Sequence, residues 1–146
     1  HAGEVAGPES VWSVINDLEV ERVGHGVRSS EDPNLVAHLA ETKIPLEMCP
    51  ISNLKTGVVS SLSDHPIMKF LEQDIMVTIN SDDPTLFNTS LTQEFIVLID
   101  ELDVSLDDFK KLTLNAIESS FMTDDEKKKF LLEFETEFEN DLPPEN

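Results

Sequence analysis

The sequence contains one cysteine, one tryptophan and no tyrosine, and only 10 Lys and Arg stand against 30 Asp and Glu, a formal net charge of -20. Each shortage excludes something. The single thiol, Cys49, cannot close an internal disulfide, so nothing calls for an oxidising compartment and a cytoplasmic location is expected. Scarce Lys and Arg remove the clustered cations on which nucleic acids and anionic membranes rely, leaving a neutral small molecule as the expected partner. No apolar run approaches the roughly 18 residues needed to cross a bilayer. The chain opens at His1 without a signal-peptide pattern, and it reads as part of something longer. Its 146 residues suffice for one domain with a core but fall short of a complete eight-unit α/β barrel.

What is present alternates. Pro8 suits a first helical position, and Val11, Trp12, Ile15 and Leu18 follow at helical spacing, so a helix is expected over 8–18 with Trp12 packed on a sheet. A buried strand is expected over 20–24. Asp32 and Pro33 then cap a helix whose apolar stripe is Leu35, Val36, Leu39 and Ala40, before a second strand over 44–48. A longer loop leads to a helix using Ile67, Phe70 and Leu71 and a third strand over 75–80. Three strand-helix alternations with short connections predict right-handed βαβ units and a parallel sheet, an α/β fold. Beyond Phe87 only helical patterns remain: Leu91, Phe95, Leu98 and Leu102; then Leu106, Phe109, Leu112 and Ala116 behind the cap Ser105; then Leu131, Phe134 and Phe138 behind a capping box opened by Thr123. Residues 1–122 are expected to form the strand-bearing part, and 123–146 an acidic helix and tail of the same domain, with residues 141–146 stopping the helix and fraying.

Polar clusters close the strands. His1-Ala2-Gly3-Glu4, Arg22-Val23-Gly24-His25-Gly26 and Ser81-Asp82-Asp83-Pro84 each read as the close of a short strand, and parallel strands of a barrel deliver their C-terminal ends to one face. Imidazole and carboxylate are the donors of catalytic zinc sites, where an open position is left to water, and a neighbouring glutamate can move the proton. His1 with Asp82 as ligands and Glu4 as proton carrier describe metal-assisted hydrolysis. Asp83, just before Pro84, equally suits a cap for the following turn. His38 and His65 read as structural, His65 as a capping or solvated residue, and Cys49 as a small core residue.

Together HAGE at 1–4, GPESVW at 7–12, RVGHG at 22–26, CPISN at 49–53 and INSDDP at 79–84 resemble the adenosine deaminase family of zinc hydrolases, in order and spacing as well as in wording. The resemblance covers about residues 1–120. It implies the C-terminal half of a (β/α)8 barrel followed by extra helices, bound Zn2+, and hydrolytic removal of ammonia from C6 of adenosine to give inosine. By the same resemblance His1 and Asp82 are zinc ligands, and Glu4 protonates N1 of the purine. His25 orients and helps deprotonate the attacking water, Asp83 bonds N7, and Gly3 lies close to the substrate. Related adenine deaminases carry an acidic residue where this chain has Gly24, which favours the nucleoside. The family's His-x-His pair, on its first barrel strand, is absent from these residues. Alone, then, this half is expected to be inactive, to bind zinc weakly and to associate through its exposed sheet edges.

Overall fold

The helix starts follow local chemistry in the computed structural model, which describes residues 1–141. Pro8 opens α1 (Pro8–Leu18). The Asp32 carboxylate accepts the Asn34 N–H at 2.9 Å and Pro33 takes the first position of α2 (Pro33–Thr42), supplying a cap and a preset φ together. Each helix hands over to a short strand, β1 (Val23–Gly24) after α1 and β2 (Leu46–Met48) after α2. Two further helices, α3 (Pro50–Lys55) and α4 (Ile67–Glu72), lead into β3 (Val77–Ile79). The order is β1-β2-β3, all parallel, with Val23 beside Leu46 and Leu46 beside Val77. Ala2 bridges His25 in parallel, so the HAGE segment runs alongside the end of β1.

These strands are shorter than the apolar stretches. The reason lies in the turns that precede them: Glu19, Lys43 and Asp74 all take left-handed backbone, with φ of 50°, 56° and 60°, and the chain spends its next residues reversing from helix to strand. The core between sheet and helices contains Leu35, Leu39, Leu46, Met48, Ile67, Phe70 and Val77. Each such fully buried side chain contributes about 2 kcal/mol of transfer free energy.

Four helices complete the described chain: α5 (Pro84–Phe87), α6 (Leu91–Leu102), α7 (Leu106–Glu118) and α8 (Asp124–Asp141). Ser105 and Asp108 form a capping box at the start of α7, and Thr123 and Glu126 exchange the same pair of bonds at α8. The expected stripe of α8 is half-buried, with Phe138 stacked 6.5 Å from Phe109. Asn115 of α7 donates to the Val77 carbonyl at 2.9 Å, so part of the far edge of β3 is engaged rather than open.

Three packing expectations change. Trp12 does not lie on the sheet: its ring tilts against His38 of α2 at 5.0 Å and its Nε1–H donates to Asp32 at 2.9 Å, satisfying the indole donor between helices. Leu18, Leu106 and Ala116 sit on their helical stripes but remain exposed. Leu91 is also exposed, and it lines the cavity described below. The expectation about the tail falls mostly outside the described residues. Among those described, no helix is long and apolar enough to cross a membrane.

Candidate active site

Four neighbouring strand ends deliver the polar clusters to one face. They surround a cavity of about 520 Å3, lined by His1, Gly24 and His25 from the first two ends, Glu47 and Cys49 from the third, Asn80, Ser81 and Asp82 from the fourth, and Leu91 from α6. Two glycines make the approach. Gly3 holds φ of 61° and a Cβ there would meet Val11 Cγ2 at 2.6 Å; Gly26 holds φ of 68° and a Cβ would meet Leu46 Cδ2 at 2.7 Å. A side chain at Gly3 would press on Val11 and on the backbone of Gly26, and one at Gly26 would press on Leu46.

The predicted groups meet closely. His25 is 2% exposed and its Nε2 lies 2.8 Å from His1 Nδ1, 3.4 Å from Glu4 Oε2 and 4.0 Å from Asp82 Oδ2. Glu4 Oε2 is also 3.5 Å from His1 Nδ1. His25 and Asp82 both take left-handed backbone, with φ of 67° and 56°, a conformation that costs about 1 kcal/mol for residues other than glycine and gathers where geometry serves function. Ser52 Oγ donates to Asp82 Oδ2 at 2.7 Å and fixes that carboxylate.

Two of the predicted residues enter differently. Asp83 is exposed and does not line the cavity; its Oδ1 accepts the Leu86 N–H at 2.8 Å and caps α5, the alternative that its place before Pro84 left open. The backbone of Gly3 is spent within the fold, its N–H donating to Ser10 Oγ at 2.8 Å and its carbonyl accepting from the Arg28 N–H at 2.8 Å. Gly3 does not line the cavity, and the Cβ it lacks would point at Val11 and Gly26.

His65 is not solvated. It is 5% exposed, its Nε2 lies 3.2 Å from Asn53 Oδ1, and burial pushes its pKa down to about 4. Cys49 is buried as expected, but on the cavity floor. Burial first, and then the carboxylate of Asp82, push its thiol up to about 12, so without a metal it remains protonated at neutral pH and is no nucleophile. Glu94 of α6 is fully buried, and burial raises its pKa. Its Oε2 accepts the Ile51 N–H at 3.0 Å and its Oε1 the Thr89 hydroxyl at 3.0 Å, which pins the CPISN turn. Ser52, Asn53, Glu94 and the participation of His65 have no role in the sequence reading. The usable signal was that CPISN follows a strand as directly as the other clusters do.

Neutral burial of His65 makes stability depend on pH. Unfolded, the imidazole titrates near 6.5; folded, near 4. Between these values the unfolded chain binds the extra proton, so the contribution is fully present above about 6.5 and is lost as pH falls through 4, up to about 3 kcal/mol. Urea midpoints of the full-length protein at pH 7 and pH 4.5 should therefore differ less in His65→Gln than in the native sequence. An equal drop in both would show that His65 is not buried neutral.

For a divalent metal, two groupings among the described residues bring three donor atoms within 4.8 Å of one another: His1, Glu4 and His25, and His25, Cys49 and Asp82. His1 and Asp82 flank His25 on the cavity wall, and their donor types suit zinc. Glu4, Glu47 and Asp82 crowd negative charge there, which a cation would relieve; Arg22 compensates only Glu47, through their ion pair. The residues fit one side of a zinc site and leave its other ligands to come from elsewhere.

The family model for adenosine deaminase matches residues 1–136, which extends the resemblance into α8. The aminodeoxyfutalosine deaminase of Streptomyces avermitilis is 45% identical over 136 residues, covering 93% of this chain and 38% of that protein. The adenosine deaminase of Vibrio cholerae is 44% identical over 131 residues, covering 90% and 39%. Among solved structures, an adenine deaminase from Arthrobacter aurescens superposes with a TM-score of 0.92 at 36% identity, covering 96% of this chain and 42% of that one. An amidohydrolase from Burkholderia ambifaria with bound Zn superposes with a TM-score of 0.86 at 26% identity, covering 96% and 40%. The chain thus spans about two fifths of the length of the relatives it matches, the part that carries one run of barrel strands and the helices after it. With its clusters in place and its sequence matched almost from end to end, the chain belongs to the adenosine deaminase family.

Proposed function

We propose that the protein to which these residues belong is a zinc-dependent hydrolase that converts adenosine with water into inosine and ammonia, and 2′-deoxyadenosine into 2′-deoxyinosine and ammonia, a reaction of purine salvage. The observation that carries this is the convergence of His1, Glu4, His25 and Asp82 on one cavity wall within a deaminase family member. His1 and Asp82 would hold the metal. Zinc, when bound, acts as a Lewis acid and brings the pKa of a coordinated water toward about 7.

The remaining chemistry belongs to the chain. Glu4, half-buried beside His25, gives a proton to N1 of the purine, which makes C6 electrophilic. His25, whose Nε2 lies 3.4 Å from Glu4 and 4.0 Å from Asp82, orients the attacking water. Asp83, beside Asp82 at the cavity edge and with Oδ1 engaged as a cap, bonds N7 through a protonated Oδ2. Gly3 carries its backbone close to the purine. Of the water's two protons, carried by the site's carboxylates, one goes to the amino group, which leaves as ammonia, and one returns to Glu4. Without the remaining metal ligands, the residues described here are inactive alone.

Gly24 supports the nucleoside over the free base. It lines the cavity, and a Cβ there would meet only His1 N at 3.6 Å and His1 Cα at 3.7 Å, ordinary contact distances. A carboxylate at this position therefore enters the cavity without moving the backbone, in space that a ribose needs. Gly24→Asp in the full-length enzyme should lower kcat/KM for adenosine at least about 10-fold and raise the ratio of adenine to adenosine turnover. If the native enzyme already preferred adenine, the nucleoside reading would be wrong and the protein would be an adenine deaminase.

A further inference from the structure

A chain of hydrogen bonds runs from the backbone to the cavity. The Ile67 N–H lies 3.3 Å from His65 Nδ1, His65 Nε2 lies 3.2 Å from Asn53 Oδ1, Asn53 Nδ2 lies 3.2 Å from His25 Nδ1, and His25 Nε2 faces His1 and Glu4. A backbone N–H can only donate, so His65 Nδ1 must accept, and neutral His65 carries its proton on Nε2. That proton needs an acceptor, which sets the Asn53 amide with its oxygen toward His65 and its NH2 toward His25. The reversed amide would aim an NH2 at the protonated Nε2 of His65. His25 Nδ1 is thus an acceptor, and a neutral His25 is protonated on Nε2, the nitrogen that faces the cavity. His65 and Asn53 are both fully enclosed, so no water competes for these bonds.

We propose that Asn53 and His65 are positioning residues which lock His25 in the Nε2–H tautomer, so that it meets the attacking water as a hydrogen-bond donor and not as a base. This rests on the deaminase reading of the site. With no lone pair turned to the cavity, neutral His25 cannot take the water's proton; the site's carboxylates receive it, and His25 stabilises the negative oxygen left behind. The expectation that His25 helps deprotonate the water is replaced by orientation and charge stabilisation alone. The direction of the whole relay is set by one backbone donor at the start of α4, which a helix N-terminus has to spare.

The tautomer is measurable without turnover. In the full-length protein labelled with nitrogen-15 at histidine, long-range proton–nitrogen correlation spectra should show His25 protonated at Nε2 and bare at Nδ1, both with zinc and after chelation. Asn53→Asp replaces the donor by an acceptor of the same shape, so His25 Nδ1 must gain a proton; kcat for adenosine should fall about 100-fold with KM within about twofold. Native His25 protonated at Nδ1 would overturn the proposal, as would an Nδ1 that stays bare in Asn53→Asp. If the variant fails to fold, the native spectrum decides. An active deaminase with the wrong tautomer sinks the relay alone, whereas the Nε2–H tautomer in a protein that deaminates no purine supports the relay and removes the deaminase reading.

Discussion

Glu4→Gln should reduce kcat of the full-length enzyme by about 1000-fold while leaving it folded, the loss expected when a positioned proton donor is removed. The amide keeps the shape of the carboxylate and can still reach His25 Nε2 and His1 Nδ1, which lie 3.4 and 3.5 Å from Glu4 Oε2. What it lacks is an acidic proton for the purine ring. Because the side chain is near the surface and no buried charge is left unpaired, unfolding free energy should change by no more than about 0.5 kcal/mol. Steady-state rates and thermal melts on the same preparations separate the two effects. A variant that turns over normally would remove Glu4 from the mechanism, and a variant that melts early would show that Glu4 has a structural duty.

The second large effect is at Asp82. Asn at this position tolerates the left-handed backbone at φ of 56° and preserves an acceptor for the Ser52 hydroxyl, now at 2.7 Å, so Asp82→Asn subtracts little but the charge. Groups that merely orient ligands cost 10–100-fold in metal affinity when removed, so a lost ligand charge should weaken zinc at least about 100-fold. Equilibrium dialysis of the full-length protein against zinc should show that loss, with activity falling in parallel. Undiminished affinity would place the metal away from Asp82.

The parts legible in the sequence were those fixed within a few residues. Pro8, Asp32-Pro33, Ser105 and Thr123 announced helix starts through caps and preset dihedrals, and α1, α2, α7 and α8 begin where they stand. The strand-end clusters were legible because a parallel sheet sends equivalent ends to one face. Contacts made through the third dimension were not. Trp12 could not be assigned to His38 over the sheet from periodicity alone, since both surfaces want the same apolar stripe. His65, sixteen residues past Cys49, gave no sign that it would be buried behind Asn53. The left-handed backbone at His25 and Asp82 was equally hidden, because neither residue type demands it. Asp83 was ambiguous in the sequence, and the structure shows it capping α5.

The central claim, that this chain carries the catalytic wall of a zinc-dependent adenosine deaminase, is tested most directly by ammonia release. The full-length protein is stripped with a chelator, reloaded with zinc and given adenosine, with inosine and ammonia measured together. One ammonia per inosine is expected, with activity lost on stripping and recovered with about one zinc per chain. A folded, zinc-loaded protein that releases no ammonia from adenosine, or one that is equally active after stripping, would contradict it.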